Sequence, residues 1–156
     1  MATPSPTSVR STAAVAKVVL DATVIVAHLN AGDTHARRAR ELVDRLRKNG
    51  DELLLLDFLV GEAVSVLARR ASEGRLDSVQ FATVMAVVRQ WHRAKQVLYF
   101  DMQDYAEDAL DTVVKTNGRI GFNDSLLVVL QKDSLIGPVA SFDTGFDAVP
   151  LFEVIS

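Results

Sequence analysis

The stretch from Lys17 to Asn30, KVVLDATVIVAHLN, constrains the fold more than any other part of the chain. Val18, Val19 and Leu20 form an unbroken apolar run, which suits a strand buried on both faces of a parallel sheet. Asp21 follows at once. Thr23 and a second apolar run, Val24 to Ala27, then open a predicted short helix over residues 23–30. A carboxylate at the seam between a buried strand and a helix is costly to desolvate, so it calls for a compensating partner. In open α/β sheets that seam lies on the carboxyl edge, where ligands bind.

The rest of the chain repeats the alternation. Ala31-Gly32 breaks the first helix, and Asp33 or Thr34 is expected to cap the next, His35 to Lys48. That helix carries Ala36, Ala39, Leu42, Val43 and Leu46 on one stripe, with Arg37, Arg38, Arg45, Arg47 and Lys48 opposite. Further strands are predicted at Glu52–Leu56, Val97–Phe100 and Val139–Phe142, and a short last one at Leu151–Ile155. Helices are predicted from a cap at Asp57 to Ser72, from a cap at Asp77 through Trp91, over Asp104–Thr116 and over Asn123–Gln131. Leu126 to Leu130 is apolar all round, the mark of a buried helix. Strands alternating with helices predict an α/β sandwich: a mostly parallel sheet with helices on both faces.

Composition narrows the classes. A chain of 156 residues is expected to form one domain with a sizeable core. Residues 1–16, rich in Thr, Ser, Pro and Ala, are expected to be a flexible tail before a domain over residues 17–156. A net charge of −3 gives no global basic field, so a polyanion would have to bind through a local patch. The absence of cysteine excludes disulfides, thiolate metal sites and a cysteine nucleophile. No apolar stretch approaches the ~20 residues of a membrane span, and the tail lacks the pattern of a signal peptide. A cytoplasmic location is therefore expected.

Asp21 and Asp143 each follow an apolar strand, which in a parallel sheet puts both on the carboxyl edge. Glu62 shares the stripe of Leu59 and Val66, and Asp124 opens the buried helix, so both are acids on otherwise apolar helix surfaces. Each has a structural reading as well. Asp21 can cap a helix, Asp143 can open a turn, Asp124 can answer a helix dipole, and Glu62 can point into solvent. Four carboxylates gathered together would repel one another, raising their pKa values unless cations neutralise them. Oxygen-only ligands suit Mg²⁺ or Mn²⁺, and such ions activate water for phosphodiester hydrolysis. His28, His35 and His92 are not needed as bases in that chemistry.

The segments VVLDATVIVA, LVGEAVSVL, FNDSLLVVL and VASFDTGFDAVP, in this order, resemble the PIN domain, a metal-dependent nuclease fold, over roughly Val18 to Ile155. The resemblance implies a three-layer α/β/α sandwich with strand order 3-2-1-4-5. It also implies a pocket in which Asp21, Glu62, Asp124 and Asp143 bind one or two Mg²⁺ or Mn²⁺ ions. Asp147 matches a further acid of many members, and Thr23 matches a hydroxyl residue that hydrogen-bonds near the metal. Ala22 and Ser125 depart from the family's commoner Thr or Ser and Ala, without touching a ligand. Small members are often the toxins of VapBC-type toxin–antitoxin pairs, which implies an endoribonuclease, a homodimer and a cognate antitoxin. Arg37, Arg38, Arg69 and Arg70 are candidate RNA contacts. The alternatives are an RNA-processing nuclease and a catalytically silent scaffold that binds proteins.

Overall fold

The computed structural model describes residues 15–156. Of the tail expected over residues 1–16, residues 1–14 lie outside the described residues. The central strand β1 (Lys17–Leu20) is buried along Val18, Val19 and Leu20, as an apolar run flanked by strands on both sides requires. On one side it pairs with β2 (Glu52–Leu56), which pairs with β3 (Val97–Leu98). On the other it pairs with β4 (Val139–Ala140), which pairs with β5 (Val154–Ile155). Every pairing is parallel and the order is 3-2-1-4-5, as the resemblance implied.

Among the described residues six α-helices flank the sheet: α1 (Ala22–Leu29), α2 (Ala36–Asn49), α3 (Asp57–Ser72), α4 (Ser78–Arg93), α5 (Ala106–Lys115) and α6 (Phe122–Lys132). The main core joins β1 and β2 to the apolar faces of α1 to α4. A smaller cluster of Ala109, Leu126 and Leu130 joins α5 to α6. Leu126, Leu127 and Leu130 are fully buried, as the apolar run of α6 demands. Gly50 ends α2 in the left-handed region at φ 83°, where its missing Cβ removes the steric cost. A Cβ on Gly137 would strike the carbonyl of Lys17, so only glycine lets the chain pass that close to β1.

Several boundaries differ from the sequence reading. Strands β3 and β4 are two residues long, not four. Side chains take the backbone groups that would have extended them. The N–H of Phe100 donates to Asp57 Oδ1 (3.0 Å), that of Phe142 to Thr23 Oγ1 (3.1 Å), and that of Asp143 to Ser141 Oγ (3.0 Å). Asp57 therefore lies in the first turn of α3 and is not its cap, which is Leu56. Neither Asp33 nor Thr34 caps α2. The capping position is His35, and Asp33 accepts its backbone N–H at 2.8 Å. The helix expected from Asp104 begins as a 3₁₀ turn, Gln103–Tyr105, before α5. Asp77 does cap α4, accepting the N–H groups of Val79 and Gln80 at 2.9 Å.

Candidate active site

The chain leaves β1 toward β2 on one side and returns through β4 on the other, so the strand order reverses between β1 and β4. In open α/β sheets a crevice forms outside the carboxyl ends of the strands at such a switch point. Asp21 stands at the end of β1 and Asp143 lies three residues beyond β4. The second turn of α3 carries Glu62 and the first turn of α6 carries Asp124, and the charge of each acts on or from the same carboxyl cluster.

Asp21 is 3 % exposed and carries three hydrogen bonds. Its Oδ1 accepts the N–H of Ala22 at 2.7 Å, which caps α1. Its Oδ2 accepts Thr23 Oγ1 and Ser141 Oγ, each at 2.7 Å. A carboxylate offers about four lone-pair positions, so an ion can still be approached through the one that remains. Asp143 is exposed and accepts the N–H of Gly145 at 2.7 Å, opening the 3₁₀ turn Thr144–Ala148. Glu62 is exposed, the solvent-facing of its two readings, and its Oε2 accepts a hydrogen bond from Asn123 Nδ2 at 2.7 Å. Asp124 is half-buried in the first turn of α6. Its carboxyl is pushed up to about 7, first by burial and then by the charges of Asp21 and Asp143. The N–H of Gly121 partly opposes this, and Glu62 adds to the rise.

The four acids thus share one electrostatic field. Among the described residues, no lysine, arginine or histidine lies within ion-pair distance of any of them. They do not form a ready-made cage, since no three such side chains among the described residues gather closely enough to enclose an ion. Asp21, Glu62 and Asp143 are each held by their own protein donor. An all-oxygen, uncompensated set with a carboxyl this reluctant to ionise fits a hard divalent cation.

Ser141 and Asn123 are site residues that the sequence reading missed. Ser141 is 1 % exposed, donates to Asp21, receives the N–H of Asp143 and lies 3.3 Å from Thr23 Oγ1. Its signal was a hydroxyl placed between the last apolar residue of β4 and the Asp143 turn. Asn123 could have been read from its place beside Asp124. Asp147 is exposed and lines a shallow cleft with Arg119 and Thr144.

The candidate RNA contacts are dispersed. Arg37 is exposed, 3.9 Å from Glu41, and Arg69 is exposed near the end of α3. The guanidinium of Arg38 lies 4.7 Å over the ring of Phe142. Arg70 is not a free surface cation, because it is hydrogen-bonded to Asp33 at 2.6 Å. Burial tends to raise the Asp33 carboxyl, but the His35 N–H and Arg70 hold it below its usual range. No histidine is hydrogen-bonded to the four acids: His92 bonds Tyr99, and burial lowers the pKa of His28.

The fold is similar to that of VapC20 from Mycobacterium tuberculosis, described as a toxin that cleaves the sarcin–ricin loop. The TM-score is 0.66 at 20 % identity, covering 88 % of this chain and 98 % of that one. It is also similar to PAE2754 from Pyrobaculum aerophilum, with a TM-score of 0.59 at 17 % identity over 89 % and 83 % of the two chains. A third likeness is to VapBC2 from Rickettsia felis, solved with a fragment of promoter DNA, with a TM-score of 0.59 at 12 % identity over 89 % and 97 %. No curated protein matches the chain in sequence. The sequence profile of the PIN domain matches residues 18–151, and the chain belongs to the PIN-domain family.

Proposed function

We propose that this chain is a divalent-metal-dependent endoribonuclease acting as the toxin of a VapBC-like pair. One observation carries the reading: at the topological switch point, burial and then the charges of Asp21, Asp143 and Glu62 raise the Asp124 carboxyl to about 7, and no lysine, arginine or histidine among the described residues pairs with any of the four acids. Asp21, Asp124 and Asp143 would hold the ion, Mg²⁺ or Mn²⁺, and when bound it supplies a Lewis acid that lowers the pKa of water and balances charge on the phosphate. Thr23 and Ser141 fix the Asp21 carboxylate in one orientation. Asn123 holds one oxygen of Glu62, leaving the other to accept a hydrogen bond from the attacking water. No helix among the described residues is long and apolar enough to cross a membrane.

The toxin assignment is supported by the likeness to VapC20 and VapBC2. The latter also motivates a cognate antitoxin as partner. Exposed Val79 on α4, and Leu110 and Val114 on α5, offer apolar surface for an antitoxin or a second copy of the chain. The test is cleavage of a structured RNA in Mg²⁺, Mn²⁺ or EDTA by wild type and Asp21→Asn. Cleavage by wild type only, and only with a divalent ion, is the expected result. Equal cleavage by both proteins would remove Asp21 from the chemistry.

A further inference from the structure

Beside the acidic site lies a cleft of about 230 Å³, lined among others by Thr23, Glu62, Asp33, His35, Arg70 and Phe142. We infer that this cleft is a subsite for one unpaired nucleobase next to the scissile phosphate, and that it selects guanine. The inference rests on the nuclease reading above and adds a specificity to it.

Three features carry it. The cleft shares Thr23 and Glu62 with the acidic site, so a base held there belongs to a nucleotide adjoining the phosphate under attack. Its lining includes two aromatic rings. The rings of His35 and Phe142 lie 5.2 Å apart, tilted at 33°, and the Arg38 guanidinium, which does not line the cleft, lies 4.7 Å over the Phe142 ring. Aromatic and guanidinium planes are the surfaces on which splayed-out RNA bases stack. Its floor holds Arg70 in a fixed pose. Among the described residues, the one hydrogen-bond partner of the Arg70 side chain is Asp33, so most of its five N–H donors remain unused. The Arg70 and Asp33 side chains are only 23 % and 7 % exposed, so the guanidinium is preorganised.

A fixed guanidinium fork matches the O6 and N7 acceptors of guanine, a pair of acceptors that no other base presents together. The Asp33 carboxylate adds an acceptor that suits the N–H groups of guanine and would repel a base edge lined with acceptors. The cleft is far too small for a duplex, so the base must come from a loop or an unpaired strand.

The test compares RNA oligonucleotides that differ at one nucleotide flanking the cut: guanosine, adenosine, uridine or an abasic site. Wild type should cut the guanosine substrate at least tenfold faster than the uridine and abasic ones. Phe142→Leu and Arg70→Lys should lose that ratio, so that each variant cuts its guanosine substrate no faster than its own abasic one. In parallel, GMP and UMP are titrated in EDTA while the His35 ring protons are followed by NMR. GMP should shift them at severalfold lower concentration than UMP, and Phe142→Leu should erase the gap. Cleavage with no preference at either flanking position, or a preference that survives both variants, would overturn the subsite. So would GMP binding with no guanosine preference in cleavage, which would mark the cleft as a site for a free nucleotide. If wild type cuts no RNA with either ion, the nuclease reading falls first and takes the subsite with it.

Discussion

Replacing Asp124 by asparagine separates what the acidic cluster costs the fold from what it does. The carboxyl rises from 3.8 to about 7 in the folded chain. Its folded value therefore lies above its unfolded one, so the folded state holds a proton more tightly. That contribution to stability is whole below about pH 4 and is lost as the pH climbs to about 7. Fully ionised at pH 8, the raised value corresponds to about 4 kcal/mol against the folded state, at about 1.4 kcal/mol per tenfold change in proton affinity. The carboxylate is partly solvated, and screening reduces this to about 2 kcal/mol. At pH 5 about half of that discounted cost remains, because the unfolded chain is already ionised. Asparagine keeps the shape and carries no charge. In EDTA at low salt, Asp124→Asn should be more stable than wild type, and its advantage should widen by about 1 kcal/mol from pH 5 to pH 8. For a chain of this size that is a gap in Tm growing by about 3 °C. Thermal unfolding followed by circular dichroism across that range measures it. At pH 8, Mg²⁺ should raise the Tm of wild type and leave the variant nearly unmoved. Parallel Tm curves for the two proteins would refute the shared field that Asp21, Asp143 and Glu62 are taken to impose.

Ser141→Ala removes the hydroxyl that joins Asp21 to the Asp143 backbone. Cleavage at a fixed, subsaturating metal concentration should fall 10- to 100-fold, and excess metal should recover part of it, as a titration of rate against Mn²⁺ will show. Gly137→Ala drives a Cβ into the Lys17 carbonyl at the start of the central strand. It should lower stability by about 2 kcal/mol or more in urea unfolding, with an unchanged m-value. Arg70→Met strands the Asp33 carboxylate, whose side chain is 7 % exposed. It should cost about 2 kcal/mol at pH 7 and less at pH 4, where Asp33 can take up a proton.

The periodic parts of the chain were legible because burial imposes a period. Val18 to Leu20 announced a strand buried on both faces, and the apolar body of α6 announced an interior helix. The ends of β3 and β4 were not legible. They are decided by side chains distant in sequence, Asp57 reaching Phe100 and Thr23 reaching Phe142, which a local pattern cannot register. The stripe arithmetic put Glu62 on a buried face. In the fold it is exposed, as its solvent-facing reading had it, and the bond it accepts from Asn123 on another helix is what no local pattern could register. Arg70 read as one of a surface pair, yet its pairing with Asp33 across two elements takes it off the list of free cations. Asp21, Asp124 and Asp143 were found because the acid-after-strand and acid-in-first-turn patterns are local. That they share one field depends on the switch between β1 and β4, which only topology supplies.

Local structure accounts for each acid separately and fails to account for the group. Asp21 caps α1, Asp143 opens a turn and Asp124 lies in the first turn of α6. Asparagine or serine could fill the first two positions without charge. The chain holds 17 lysines and arginines, and where a buried acid needs a counterion it finds one, as Asp33 finds Arg70. At the switch point no side chain among the described residues does this, although Asp124 bears the electrostatic penalty in a protonation shift of about three pH decades. Stability alone would favour a neutral residue or a cation there. A pocket kept negative at the fold's own expense is one whose charge is balanced by something from outside the chain, and its all-oxygen donors make a divalent cation the fitting choice.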